Sequence, residues 1–236
     1  MGNGWEQSAA AWLDCMGETG DWGRQHVLDP LMLERASVRR FEHALDIGCG
    51  EGRFCRMLKA MGIPVIGIDP TEALLVQASK RDPGGDYQLA RAEALPFRNA
   101  SFDLVISYLT LIDIADFRTG LREMVRVLRP DGTLLIANLN SYFSSCSQGW
   151  VKDLNGQDAH YPVDRYLEEF AEWVEWSGIR VENWHRPLAA YMRELIAHGL
   201  TLTFFDEPQP RSGDADRQRR YRRAPWFMVM EWRRPP

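Results

Sequence analysis

Leu45-Asp46-Ile47-Gly48-Cys49-Gly50-Glu51-Gly52 decides the fold. A short apolar run ends in three glycines at alternate positions, and Arg53 to Met61 then reads as a helix with Phe54, Leu58 and Met61 on one face. Glycines let a chain turn tightly and let its backbone approach a ligand. The dinucleotide fingerprint G-x-G-x-x-G would need glycine where Arg53 stands, and the phosphate loop G-x-x-x-x-G-K-[ST] is absent. The loop therefore suits a ligand other than a pyrophosphate. Asp69 closes the next apolar strand, Pro64 to Ile68, and an acid at that point can accept from both hydroxyls of a ribose. Glycine loop and strand-end acid together point to an adenosine-type ligand at the carboxyl ends of parallel strands.

Working outward, strands and helices alternate. A helix follows from Thr71, a natural N-cap, to about Lys80, and Asp82-Pro83-Gly84-Gly85 is a turn. Tyr87 to Ala90 and Phe102 to Ser107 read as strands, Asp116 to Leu128 as a helix, and Thr133 to Asn138 as a strand after the Arg129-Pro130-Asp131-Gly132 turn. A helix returns from Leu188 to His198. Leu200 to Asp206 and Trp226 to Trp232 are the last two strands, with a long polar loop, Glu207 to Arg223, between them. The fold class is α/β: a Rossmann-like, seven-stranded, mostly parallel sheet with helices on both faces. Residues 141–186 break the pattern, so residues 1–140 with 187–236 form the core domain and 141–186 a cap inserted after the fifth strand. Within the cap, Tyr166 to Trp176 looks helical, with Trp173 and Trp176 sharing a face.

The 236 residues are 45% hydrophobic and 26% charged, ordinary globular composition. A formal charge of −5 argues against a nucleic-acid partner, and no apolar stretch is long enough to span a membrane. Its opening residues lack the basic, apolar pattern of a secretory leader, so a cytoplasmic location is expected. Cys15, Cys49, Cys55 and Cys146 have no C-x-x-C spacing, so free thiols are expected and no metal centre. Four of the nine tryptophans (Trp150, Trp173, Trp176, Trp184) lie in the cap, and Trp5 and Trp12 share a face of the first helix. They form either a satellite core or the wall of an apolar pocket.

The stretches Leu45 to Phe54, Val65 to Asp69, Ala92-Glu93-Ala94-Leu95-Pro96-Phe97 with Ser101 to Val105, and Val127 to Leu134 resemble the class I S-adenosylmethionine-dependent methyltransferases, in the small-molecule and quinone-type branch. The resemblance implies S-adenosylmethionine as cofactor and S-adenosylhomocysteine as product. It implies that Asp46, Gly48, Cys49 and Gly50 line the methionine end, that Asp69 holds the ribose, and that Pro70, Ala92 and Glu93 border the adenine. Ser107, Tyr108 and Leu109 would flank the methyl group. Many relatives carry an Asp before the Ala-Glu pair; here it is Arg91, which cannot accept from an adenine amine.

Arg24 is expected to pair the methionine carboxylate. His185, in His185-Arg186-Pro187-Leu188, is a candidate general base or a structural fastener of the cap, and Tyr108 is the second catalytic candidate. Methyl transfer from a sulfonium is an in-line displacement that needs alignment more than a base, so no catalytic triad is expected. The expected partner is a small, partly apolar or aromatic methyl acceptor. Two other readings stand beside it. One is a tRNA or rRNA methyltransferase, suggested by the five arginines of Arg217 to Arg223 but lacking an Asn-Pro-Pro-aromatic motif after the fourth strand. The other is a non-catalytic protein that binds the cofactor.

Overall fold

The computed structural model describes residues 2–146 and 148–236. Seven strands form the central sheet: β1 (Ala44–Ile47), β2 (Val65–Asp69), β3 (Asp86–Leu89), β4 (Phe102–Tyr108), β5 (Leu128–Leu139), β10 (Thr201–Asp206) and β11 (Phe227–Arg233). Their order is β10-β11-β5-β4-β1-β2-β3, and β11 alone runs opposite to the other six. Four short strands lie outside it as two hairpins, β6 (Val151–Lys152) with β7 (Asp158–His160) and β8 (Phe170–Trp176) with β9 (Ile179–His185). The helices are α1 (Trp5–Met16), α2 (Asp29–Ala36, entered through a π-helical turn Arg24–Leu28), α3 (Arg53–Ala60), α4 (Glu72–Arg81), α5 (Phe117–Val127), α6 (Ser141–Ser144), α7 (Leu188–Ala197) and α8 (Ala215–Arg223).

The near-continuous apolar strands are divided by the two-residue period of a strand. Leu45, Ile47, Val105, Leu134 and Ile136 face one way, onto α5 and α7. Ala44, Leu104, Ile106, Leu135 and Ala137 face the other, onto α2 and α3. Ile47 pairs with Ile68 on one side and Ser107 on the other, so Gly48, Asp69 and Leu109 emerge together at one end of the sheet.

Helix α1 spans this end. Ser8 Oγ donates to the Arg180 carbonyl at 3.0 Å, the Glu182 amide donates to Asn3 O at 2.9 Å, and the Ala73 amide in the first turn of α4 donates to Glu6 Oε1 at 3.2 Å. Thr71 stands at the N-cap of α4 as expected, but its side chain makes no cap bond; Glu6 supplies one from another helix.

Two sequence expectations are corrected. Tyr166 to Trp176 is not helical: Phe170–Trp176 is a strand, closed on β9 by the two-residue turn Ser177-Gly178. Both turn residues have positive φ, 48° and 79°, the left-handed pair a type I′ hairpin needs. Trp173 and Trp176, three apart on a strand, therefore face opposite ways. Likewise Glu207 to Arg223 is not all loop. Asp214 Oδ1 accepts from the Arg217 amide at 2.9 Å and starts α8, with Asp216 in its first turn and three arginines in its last.

Candidate active site

A cavity of about 830 Å³ opens at the carboxyl ends of β1, β2 and β4. Its floor is the glycine loop. Gly48 has φ 72°, and a Cβ there would fall 2.3 Å from the Thr110 side chain, so only glycine lets the loop after β4 close over it. Thr110 Oγ1 donates to Ile47 O at 3.0 Å and fixes that approach.

Asp69 is buried, and each of its oxygens takes one backbone N–H: Oδ2 from Gly50 at 2.9 Å and Oδ1 from Thr71 at 2.8 Å. Asp69 lines the cavity, and a carboxylate can accept more bonds than these two. That is the donor-acceptor complement of a ribose diol. Gly48, Gly50, Asp69, Pro70, Ala92, Glu93, Tyr108, Leu109 and Arg24 all line the cavity, as does Arg91. Asp46, Cys49 and Ser107, also expected at the ligand, lie behind its wall. Ser107 is fully buried within β4. The Cys49 thiol packs with Cys55, and burial pushes it up to about 11, so it stays protonated. Asp46 Oδ2 accepts from Cys55 Sγ at 3.3 Å, while Oδ1 is buried with no partner. Burial and the nearby Asp69 carboxylate raise Asp46 to about 7. A cation held at the glycine loop would favour its charged form.

Tyr108 sits in a closed network. Its hydroxyl donates to Asp29 Oδ1 at 2.7 Å, and Asp29 receives both Nη atoms of Arg53 at 2.7 and 2.9 Å. Burial and the Asp29 carboxylate hold the phenol well above its usual range. The ring, not the hydroxyl, is what Tyr108 offers the cavity. Arg24 is on the wall rather than the surface. It pairs Asp21 at 2.5 Å and lies over the Trp12 ring at 4.9 Å.

His185, 2% exposed, has both ring nitrogens engaged: Nδ1 with Ser144 Oγ at 2.9 Å and Nε2 with Tyr166 O at 3.0 Å. The carbonyl requires hydrogen on Nε2, so Nδ1 is the acceptor, and burial lowers the pKa and keeps the ring neutral. Its neighbour Arg186, 1% exposed, was not singled out from sequence. Its Nη1 donates to Leu111 O at 2.9 Å, and Nη2 to Ile114 O and Ala115 O at 2.6 and 3.0 Å. Asp113 was also missed. It lines the cavity, accepts from Asn183 Nδ2 at 2.7 Å, and is raised to about 7 by burial. A buried arginine and aspartate in an unstructured loop leave no periodic trace in sequence.

Trp5, Trp12, Trp150, Trp176, Trp184 and Trp226 line the cavity, so most of the tryptophan excess surrounds it. Trp173 does not; it packs under Arg180 at 4.4 Å.

Residues 45–136 match a family described as a methyltransferase domain. Among curated proteins, the chain is 37% identical over 182 residues to the malonyl-[acyl-carrier protein] O-methyltransferase of Salmonella typhimurium, covering 75% of this chain and 72% of that one. It is 28% identical over 194 residues to the ubiquinone biosynthesis O-methyltransferase of Rhizobium rhizogenes, covering 80% and 74%. Among solved structures, an S-adenosylmethionine-dependent methyltransferase from Mesorhizobium loti superposes with a TM-score of 0.78 at 27% identity, over 92% of this chain and 100% of that one. A glycine loop beside Asp69, a buried Asp46 beneath it, and a cavity with room for more than one small molecule fit the S-adenosylmethionine on which the Mesorhizobium loti protein depends. The chain belongs to the class I S-adenosylmethionine-dependent methyltransferases and takes its methyl group from S-adenosylmethionine.

Proposed function

We propose that the chain methylates a small, partly apolar or aromatic acceptor by in-line displacement. The observation that carries this reading is the continuity of the cavity from the glycine loop to a wall of aromatic rings: Phe143, Tyr161, Trp150, Tyr221 and Trp226. Of the two curated relatives, the one named for ubiquinone biosynthesis fits such an acceptor, whereas the other is named for a malonyl group on acyl-carrier protein.

S-adenosylmethionine supplies an activated methyl on a sulfonium with a neutral thioether as leaving group. The chain's own residues supply position. Asp69 receives the ribose hydroxyls, Pro70, Ala92 and Glu93 border the adenine, and Gly48 and Gly50 give backbone contact at the methionine end. Asp46 balances the ammonium and Arg24 the carboxylate. The Tyr108 ring and Leu109 flank the reacting carbon. Residues 141–186 act as a cap that excludes water. His185 works as a fastener in this reading, because its one lone pair already accepts from Ser144. Holding acceptor and methyl in line contributes about 7–11 kcal/mol without any base.

The test is turnover to S-adenosylhomocysteine across a panel of acyl, phenolic and quinol acceptors. Binding of S-adenosylhomocysteine with no turnover on any of them leaves a cofactor-binding protein and overturns the proposal. A pH–rate profile unchanged in His185→Gln supports the fastener role; loss of its acid limb assigns a base.

A further inference from the structure

The arginine run on α8 has no part in methyl transfer as described so far. The helix buries one residue, Tyr221, among Trp22, Trp226 and Phe227 at ring distances of 5.0, 4.6 and 5.9 Å. Arg217 and Arg220 lie one turn and one residue before it, and both line the cavity. Arg217 approaches Asp214 through Nε at 3.5 Å and lies over Trp22 at 5.7 Å. Arg220 pairs Asp158 through Nε at 2.8 Å. Both side chains are about half exposed, and neither donates a hydrogen bond through a terminal nitrogen to another described residue. The other three arginines do not line the cavity, and each spends a terminal nitrogen within the protein. Arg219 pairs Asp216, Arg222 donates to Gln218 Oε1 at 3.2 Å, and Arg223 donates to Asp158 O and Ala159 O at 2.7 and 2.8 Å. Of five arginines, the two whose forks are open are the two on the wall.

Besides Asp214 and Asp158, which meet their Nε atoms, an acid on the cavity wall is Asp21. Asp21 already takes the Arg24 amide at 2.7 Å and its guanidinium at 2.5 Å. From α8 an aromatic wall (Tyr221, Trp226, Phe227) leads to Leu139 and so to Leu109, whose amide donates to Ala137 O at 2.8 Å. The lobe thus has a methyl-transfer end, an apolar middle and a cationic end. Two guanidinium groups at the end of an aromatic slot are a receptor for an oxyanion.

We propose that the acceptor carries an anionic group, a carboxylate or a phosphate, on its aromatic or apolar body, and that Arg217 and Arg220 receive it. The proposal rests on the methyltransferase reading above and narrows its substrate class. Arg217 and Arg220 are then specificity residues, remote from the reacting carbon.

The test uses the full chain saturated with S-adenosylhomocysteine, whose binding is first measured by calorimetry; failure at that step counts against the methyltransferase reading and not against this one. The probes are 2-naphthoate, 2-naphthyl phosphate and 2-naphthamide, followed by tryptophan fluorescence. At least one anion should bind about tenfold or more tighter than the neutral amide, as charge-assisted bonds require. Which anion wins tells carboxylate from phosphate. Arg217→Gln/Arg220→Gln should reduce the preference to under about twofold. Arg222→Gln, which removes the same charge from the same helix off the wall, should keep it. Because Arg220 also pairs with the β6–β7 hairpin, Arg217→Gln alone serves where the double variant loses cofactor affinity, and it should cost about threefold or more of the preference. Equal affinity for all three probes, no binding by any, a preference kept in both Arg217 variants, or an equal loss in Arg222→Gln overturns the proposal.

Discussion

Replacing Arg186 by methionine should loosen the loop between β4 and α5, and the size of the effect can be worked out. The guanidinium is buried and donates to three carbonyls of that loop, Leu111, Ile114 and Ala115. Charge-assisted bonds of this kind are worth about 1.5–3 kcal/mol each, so about 4–9 kcal/mol is lost. Releasing a buried cation from its desolvation penalty returns several kcal/mol, and methionine keeps much of the packing on Phe117. Glu169, 4.0 Å from Arg186 Nε, still holds Arg118 at 2.5 Å, so no acid is stranded. The difference is a destabilisation of about 3 kcal/mol. In a domain of this size that lowers the melting temperature by about 6–12 °C if the loop unfolds with the rest. If it detaches alone, the melting temperature holds and the amides of residues 109–115 lose hydrogen-exchange protection by about a hundredfold or more. Thermal melting and exchange measured together decide. A melting temperature within about 2 °C of the parent, with protection unchanged, refutes the assignment of Arg186 as the loop's anchor.

Three further outcomes are expected. Asp69→Asn keeps one acceptor and loses the charge, so affinity for S-adenosylhomocysteine should fall about 10–100-fold by calorimetry; unchanged affinity removes Asp69 from the ribose. Asp29→Ala strands Arg53 and should cost about 3–5 kcal/mol in urea unfolding, and Asp29→Ala/Arg53→Met should recover part of it; a double variant no better than the single would mean the pair is not the source. Asp46 is raised from 3.8 to about 7 in the folded chain, so the native state binds the extra proton and stability falls as pH rises from about 4 to 7. Asp46→Asn should flatten that slope, and binding of S-adenosylhomocysteine near pH 7 should release a proton that the variant does not release, read from calorimetry in buffers of different ionisation enthalpy.

The parts of the fold legible in sequence are those set by local pattern. The glycine loop, Asp69 and the strands β1, β2, β4 and β5 carry their signals within a few residues. The misread parts depend on contacts made far away. Phe170 to Trp176 has aromatic residues at spacings that suit a helix or a strand, and the Ser177-Gly178 turn settles the matter by pairing Trp176 with Ile179. The helix α8 has a readable start, Asp214, but its single buried residue gives no period. It holds because Tyr221 enters a cluster built by Trp22, Trp226 and Phe227. The roles at His185 and Arg186 show the same division. Sequence marks the segment as a junction between cap and core, and only the fold shows that the buried guanidinium reaches three carbonyls seventy residues away in sequence.

Those contacts bear on catalysis through one element. The loop after β4 closes over Gly48 through Thr110, and nearly every later residue of it is gripped from outside. Ile112 O accepts from the Trp184 amide at 2.7 Å, Asp113 accepts from Asn183, and Leu111, Ile114 and Ala115 bond Arg186. All three gripping residues lie on or just beyond β9, and β9 in turn holds the segment before α1 through Glu182 and Asn3. A reaction driven by alignment loses about a hundredfold in rate for a displacement near 1 Å. In the proposed function, residues 141–186 thus do more than cover the acceptor: the β8–β9 hairpin also holds the loop after β4 in place. Substitutions at Asn183 should lower kcat while leaving the proposed preference for anionic probes intact. The opposite split is expected at Arg217, because one residue positions the loop and the other reads the ligand.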